Sequence, residues 1–200
     1  MSDEESLVAR AAADDAAAFR ELYDLHHAKI ARLVFRMLGG RPDFEDVIQE
    51  VFVQVHRSLK DFRGQSKLST WLHRVAVNVV LMHRRAARSR PVFADEALGE
   101  GVTGGTDVLP DEDAERRERM RAFARLLDRL ADKKRVVFVL HELEGIAPDE
   151  IAKIVGAPVL TVRTRLFYAR RELEAMLADE PSLAGLELRF SRASGIGGGT

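Results

Sequence analysis

Pro148-Asp-Glu-Ile-Ala-Lys-Ile-Val-Gly-Ala-Pro-Val159 and the Leu160-Thr-Val-Arg-Thr-Arg-Leu-Phe-Tyr-Ala-Arg-Arg171 that follows it decide the fold. Pro148 suits the first turn of a helix, and Asp149 and Glu150 favour the positive end of its dipole. The helix is very short and ends at Gly156, a natural left-handed residue, after which Pro158 can open another. The second helix would bury Val162, Leu166, Ala169, Leu173 and Leu177. It also carries Arg163, Arg165, Arg170 and Arg171, with no acid between Val159 and Arg171. Two helices on a tight glycine turn make a helix-turn-helix, whose second helix lies in the major groove of DNA. The bland alternative is a helical hairpin with a solvated basic face, and the rest of the chain has to choose between them.

Working outward, the sequence is helix-rich from Glu4 to Phe62 and again from Ser69 to about Arg88. Phe44, Val47, Ile48, Val51, Phe52, Val55 and Leu59 recur at intervals of three and four, one face of an amphipathic helix with Asp43 near its start. Trp71, Leu72, Val75, Ala76, Val79 and Met82 repeat the pattern, and Gly64 and Ser66 mark a loop between the two. Residues 91–114 are rich in Gly, Pro and acid and have no period, so they read as an extended, flexible linker. Helical patterning resumes at Glu115 and runs to Leu130. Arg135-Val-Val-Phe-Val-Leu140 has strand propensity, but its helical flanks favour helix. The tail from Asp179, ending in Ser-Gly-Ile-Gly-Gly-Gly-Thr200, reads as disordered. The expected fold is all-α, in two small helical domains: 1–90 and 115–178, joined by the linker 91–114 and followed by the tail 179–200.

The formal net charge of the 200 residues is -1, which argues for no partner; its distribution says more. Arg57 to Arg90 carries nine Lys/Arg against the single acid Asp61, whereas Pro91 to Glu115 carries eight Asp/Glu and no Lys/Arg. A basic block beside an acidic block creates local fields that the average conceals. There are no cysteines, which removes disulfides, thiolate zinc sites and thiol nucleophiles and fits a reducing cytosol. The first residues lack the apolar core of a signal peptide, and no apolar run is long enough to span a bilayer.

Together these segments resemble the extracytoplasmic-function (ECF) group of the sigma-70 family of bacterial RNA polymerase sigma factors, from about residue 13 to 178. The resemblance rests on Asp46-Val-Ile-Gln-Glu-Val-Phe52, on Phe62-Arg-Gly64 with Ser69-Thr-Trp-Leu-His-Arg-Val-Ala-Val-Asn78, and on Glu144-Gly145, Glu150-Ile-Ala152, Gly156 and Thr161-Val-Arg-Thr-Arg165. It implies an alternative sigma factor of the cytoplasm that catalyses nothing itself and needs no cofactor or metal. Residues 1–90 would correspond to sigma region 2, which binds core polymerase and melts the -10 element, and residues 115–178 to sigma region 4, which reads the -35 element. Core RNA polymerase (its clamp coiled coil and flap), promoter DNA and an anti-sigma factor are the implied partners.

The roles divide by segment. Glu45, Asp46, Gln49 and Glu50 lie opposite the apolar face of their helix, where side chains three and four apart can engage one partner helix; the resemblance assigns them to the polymerase clamp. The Phe62–Thr70 loop corresponds to the part that captures an unstacked -10 base, a step costing a few kcal/mol that a preformed pocket must offset. Arg63, Lys67, Arg74, Arg84, Arg85 and Arg88 can attract phosphates, and the Asn78 amide suits a base edge. Trp71 sits on the apolar stripe and is expected in the core rather than under a base. In the second domain Thr161, Arg163, Thr164, Arg165, Phe167, Tyr168 and Arg171 fall where the family contacts -35 DNA. Many members carry a basic residue in place of Tyr168, and a phenol cannot make the bidentate bond to guanine that arginine makes. Ala147 stands where a capping Ser or Thr is common, at a cost of about 1 kcal/mol.

Two other classes compete. A helical metal-dependent enzyme would need more than Asp24 and His27 at i, i+3, and His141-Glu142 lacks the second histidine of a zincin. A stand-alone helix-turn-helix regulator would use residues 1–90 as an effector or dimerisation domain, and the basic, amide-bearing 62–90 segment argues against it, because an effector domain has no need of that charge.

Overall fold

The computed structural model describes residues 3–39, 43–89, 114–180 and 183, and among them there are helices and turns but no strand. In the first domain α1 (Asp3–Ala12), α2 (Ala16–Leu38), α3 (Phe44–Ser58) and α4 (Leu68–Ser89) pack as a bundle, with a 3-10 turn over Leu59–Asp61. Asp15 starts α2 by accepting the amides of Ala17 and Ala18 at 2.9 and 3.0 Å. Gly39 ends it in the left-handed region at φ 72°. The seven apolar residues predicted for the 44–59 face are all buried. Tyr23 and Phe52 meet at 4.5 Å between ring centres and Phe35 and Phe44 at 5.7 Å, joining α2 to α3.

The α4 stripe needs one correction. Leu72, Ala76 and Val79 are buried as expected, but Met82 is 56% exposed. It lies one turn beyond exposed Asn78 and so falls on the polar side of the helix. Val77 and Val80 complete the buried face instead.

The second domain comprises α5 (Ala114–Arg129), α6 (Asp132–Phe138), α7 (Pro148–Val155) and α8 (Val159–Ala178). The β-rich hexapeptide is helical: α6 runs into a π-helical turn over Val139–Leu143, with Val136 to Leu140 buried. Tertiary burial overrides strand propensity here. The π turn adds one residue to the helical repeat. Its Glu142 pairs with Arg170 of α8 at 2.5 Å, while Glu144, just beyond it, pairs with Arg36 of α2 at 2.7 Å.

The two domains are in contact. α4 packs on α7 and α2 on α5, and the buried residues of both halves form one continuous cluster. A Cβ on Gly39 would make ordinary van der Waals contact, at 3.4 Å, with the Ala124 methyl and Asp128 Oδ2 of α5, so it is the left-handed φ of 72° rather than space that calls for glycine here. Arg135 sits in this seam, 0% exposed, donating to Asp128 at 2.5 Å and reaching the Met37 and Leu130 carbonyls at 3.4 Å. Burial pulls its guanidinium down to about 10, still charged at neutral pH. The predicted linker lies outside the described residues except for Ala114. Of the tail, Asp179, Glu180 and Leu183 are described; Leu183 is buried, where disorder was expected.

Candidate nucleic-acid interface

The second helix of the predicted motif is built as its sequence dictates. Ala147 precedes Pro148 without a side-chain cap, and Gly156 closes α7 at φ 62°. The turn carries the chain into α8, which buries Val162, Leu166, Ala169 and Leu173. The opposite face presents Arg163, Thr164, Phe167, Tyr168 and Arg171, all exposed, with Thr161 and Arg165 half-buried at its margins. Phe167 and Tyr168 meet edge to face at 5.4 Å, and the Arg171 guanidinium stands 5.8 Å from the Phe167 ring centre. The Lys134 ammonium lies 5.9 Å from the Tyr168 ring. Two large apolar rings left in water beside three arginines make a surface suited to bases and phosphates together. Arg170 is engaged with Glu142 and belongs to the fold.

One residue of this face escaped the sequence reading. Leu160, in the first turn of α8, is 76% exposed. It stands seven residues before Phe167, off the buried stripe, and that spacing was the available signal.

In the first domain Arg63 and Lys67 are exposed on the loop, where Gly64 takes φ 67°. With Glu4, Glu5 and Val8 of α1 they line a cleft of about 350 Å³. Phe62 and Trp71 pack at 5.3 Å beneath the loop, and both lie against the core, as expected of Trp71. Arg74, Asn78 and Arg85 share one exposed face of α4 with Met82. The remaining two arginines of the set are placed differently. Arg84 is buried, bonding Asp128 at 2.9 Å and Asp132 at 3.0 Å across the domain seam, and Arg88 also pairs with Asp132. Burial opposes the charge on Asp132, but the bonds from Arg84 and Arg88 outweigh it and hold the carboxyl below its usual range. Glu45, Asp46, Gln49 and Glu50 are all exposed on the outer side of α3.

Asp24 pairs with Arg20 at 3.3 Å and His27 packs on Tyr23, while His141 Nδ1 lies 2.9 Å from the Ile146 carbonyl. Among the described residues no group of three or more His, Asp or Glu is arranged to hold a metal, and no helix is long and apolar enough to cross a membrane.

Comparison with known proteins bears on both domains. Residues 22–90 match the family description Sigma-70 region 2, and residues 120–173 match Sigma-70, region 4. The chain is 35% identical to the ECF RNA polymerase sigma-E factor of Haemophilus influenzae over 177 residues, 86% of this chain and 93% of that protein. It is 32% identical to the ECF RNA polymerase sigma factor SigW of Bacillus subtilis over 173 residues, covering 82% and 91%. Among solved structures, CnrH in complex with the cytosolic domain of CnrY superposes with a TM-score of 0.64 at 27% identity, over 87% of this chain and 96% of that one. The sigma factor RpoE of Bartonella quintana, in complex with the anti-sigma factor NepR, shares the fold with a TM-score of 0.60 at 20% identity, over 80% and 96%.

Proposed function

The chain belongs to the extracytoplasmic-function group of the sigma-70 family, and on that premise we propose how its residues divide the work of an alternative sigma factor. It is a transcription initiation factor that binds core RNA polymerase and directs it to promoters with -10 and -35 elements. It carries out no catalysis of its own and acts in the cytoplasm. The observation that carries the assignment of residues is the α8 face, where Arg163, Thr164, Phe167, Tyr168 and Arg171 stand exposed on a helix-turn-helix. On it Arg163, Thr164, Phe167 and Tyr168 meet the -35 bases or their backbone. Thr161 supports them, and Arg165 and Arg171 hold phosphates.

In region 2, Arg63 and Lys67 frame the cleft that receives an extruded -10 base, and Asn78 reads a base edge beside Arg74 and Arg85. Arg88, exposed at the end of α4, extends this basic track, whereas Arg84 is buried against Asp128 and Asp132 and serves the domain seam. Glu45, Asp46, Gln49 and Glu50 dock on the clamp coiled coil of the polymerase, and region 4 meets its flap. Two modest DNA contacts on one polymerase reinforce each other through their tether, so neither need bind tightly alone. An anti-sigma factor restrains the free protein by covering these faces.

Run-off transcription tests the assignment, with sigma-free core polymerase and a library of promoter fragments. Specific transcripts are expected only when the protein is added. Absence of transcripts together with absence of core binding would leave a stand-alone regulator.

A further inference from the structure

α8 turns Val162, Leu166, Ala169 and Leu173 into the core. Leu160 precedes Val162 by two residues and so points about 200° away from it around the helix. It stands three, four and seven residues before Arg163, Thr164 and Phe167, at the head of the same exposed face. With 76% of its surface in water it is the most exposed large apolar side chain among the described residues. Its neighbour Val159 packs against the core, so the start of α8 already has its apolar anchor. Packing therefore gives no reason for a leucine at 160.

We infer that Leu160 is a specificity-determining residue of the -35 reader, packing its branched tip on the 5-methyl group of one thymine in the major groove. This rests on the reading of α8 as the recognition helix. The N-terminal residues of such a helix are the ones that reach base edges. In the major groove thymine presents an apolar group, its methyl, whereas the edges of guanine, adenine and cytosine present donors and acceptors. Leucine has nothing to bond to those edges, and covering them would strip their water without replacement. The surroundings fit DNA. Arg163 stands one turn on, and Val159 to Arg171 contains no acid, so the apolar tip lies within a positive face suited to phosphates. The Thr164 hydroxyl, also one turn on, can serve the edge of an adjacent base pair.

Uracil tests this directly, since it pairs as thymine does and lacks only the methyl. Promoter fragments selected by the holoenzyme are resynthesised with each -35 thymine of either strand replaced in turn by uracil. Competition binding then compares holoenzymes carrying the wild-type chain and Leu160→Ala. With the wild-type chain, one position is expected to lose affinity roughly fourfold, the worth of one buried methyl. Leu160→Ala should lose at least as much on the unmodified promoter and show no further loss with uracil at that position, the non-additivity of partners in contact. If no uracil weakens the wild-type complex, or if the loss is equally large in Leu160→Ala, the assignment is overturned. Failure of Leu160→Ala to bind core polymerase would place the side chain against the polymerase and overturn it too. Arg163→Ala separates this inference from its premise: it should weaken thymine and uracil promoters alike. If it does, a failed uracil result falls on Leu160 alone. If neither Arg163→Ala nor a scrambled -35 element changes affinity, α8 is not the reader and both readings fall.

Discussion

Replacing Asp128 with alanine and replacing Arg135 with methionine should have opposite consequences, although the two side chains are partners. Arg135 is fully buried and, among the described residues, its ion-pair partner is Asp128 at 2.5 Å; the Asp128 side chain is itself 41% exposed. Removing the acid leaves a desolvated guanidinium that, among the described residues, keeps two long contacts to carbonyls. Uncompensated buried charges of this kind cost about 3–5 kcal/mol. The nearby Asp132 attracts the same guanidinium, so the lower end, about 3 kcal/mol, is expected. In a domain assembly of this size that lowers Tm by roughly 6–12 °C. Arg135→Met instead removes the charge together with its desolvation penalty, keeps most of the volume, and leaves Asp128 facing water and Arg84. Its cost should stay within about 1 kcal/mol. The double variant should therefore recover most of what Asp128→Ala loses. Urea unfolding of the four proteins, followed by circular dichroism, measures the cycle. Equal losses in the two single variants, or a double variant no better than Asp128→Ala, would refute the claim that desolvation dominates this pair.

Three further outcomes follow from the same structure. Tyr168→Arg should shift -35 preference toward guanine opposite this position by about 1–3 kcal/mol, read by selection of promoter variants with the holoenzyme. Ala147→Ser should supply the missing cap of α7 and raise the urea midpoint by an amount equivalent to about 1 kcal/mol. Burial holds His73 and His26 below the ordinary histidine pKa, the former with a buried Nε2 that has no hydrogen-bond partner among the described residues. Lys29 adds to both shifts, while Glu4 opposes that of His26 and the Ser69 backbone and Glu150 that of His73. The unfolded chain then takes up protons first, so stability is full above about pH 6.5 and falls as pH drops through the depressed folded values. Urea midpoints should decline from about pH 7.5 to pH 5, and His73→Leu should flatten that slope; an unchanged slope would remove His73 from the account.

The local physics of the fold was legible because it is written at short range. Spacings of three and four placed Phe44 to Leu59 and Val162 to Leu173 on their buried faces, and Gly156 and Pro148 marked the ends of α7. Met82 misled because an apolar residue at a plausible interval says nothing of whether a neighbour reaches that side of the helix. Arg135 and Arg84 were illegible for a stronger reason. Lys133-Lys134-Arg135 and Arg84-Arg85 look like solvated basic runs, and which member turns inward depends on groups outside the run: for Arg135, Asp128 seven residues before it and the Met37 carbonyl 98 residues before it. Arg84 meets partners 44 and 48 residues away. The docking of the two domains is the sum of such distant pairs, so no window of sequence carries it.

The π turn at Val139–Leu143 bears on how the second domain tolerates length change. Successive residues of an α-helix point about 100° apart, so the single extra residue rotates everything after it by that angle. Glu142 is thereby aimed at α8 and Glu144 at α2. Deleting one residue within the turn would let α6 continue as a regular helix, a local gain in hydrogen-bond geometry. Both carboxylates would then swing off their arginines at once. The segment thus works as a phase adjuster between two packing directions, and its length is under tighter constraint than its composition.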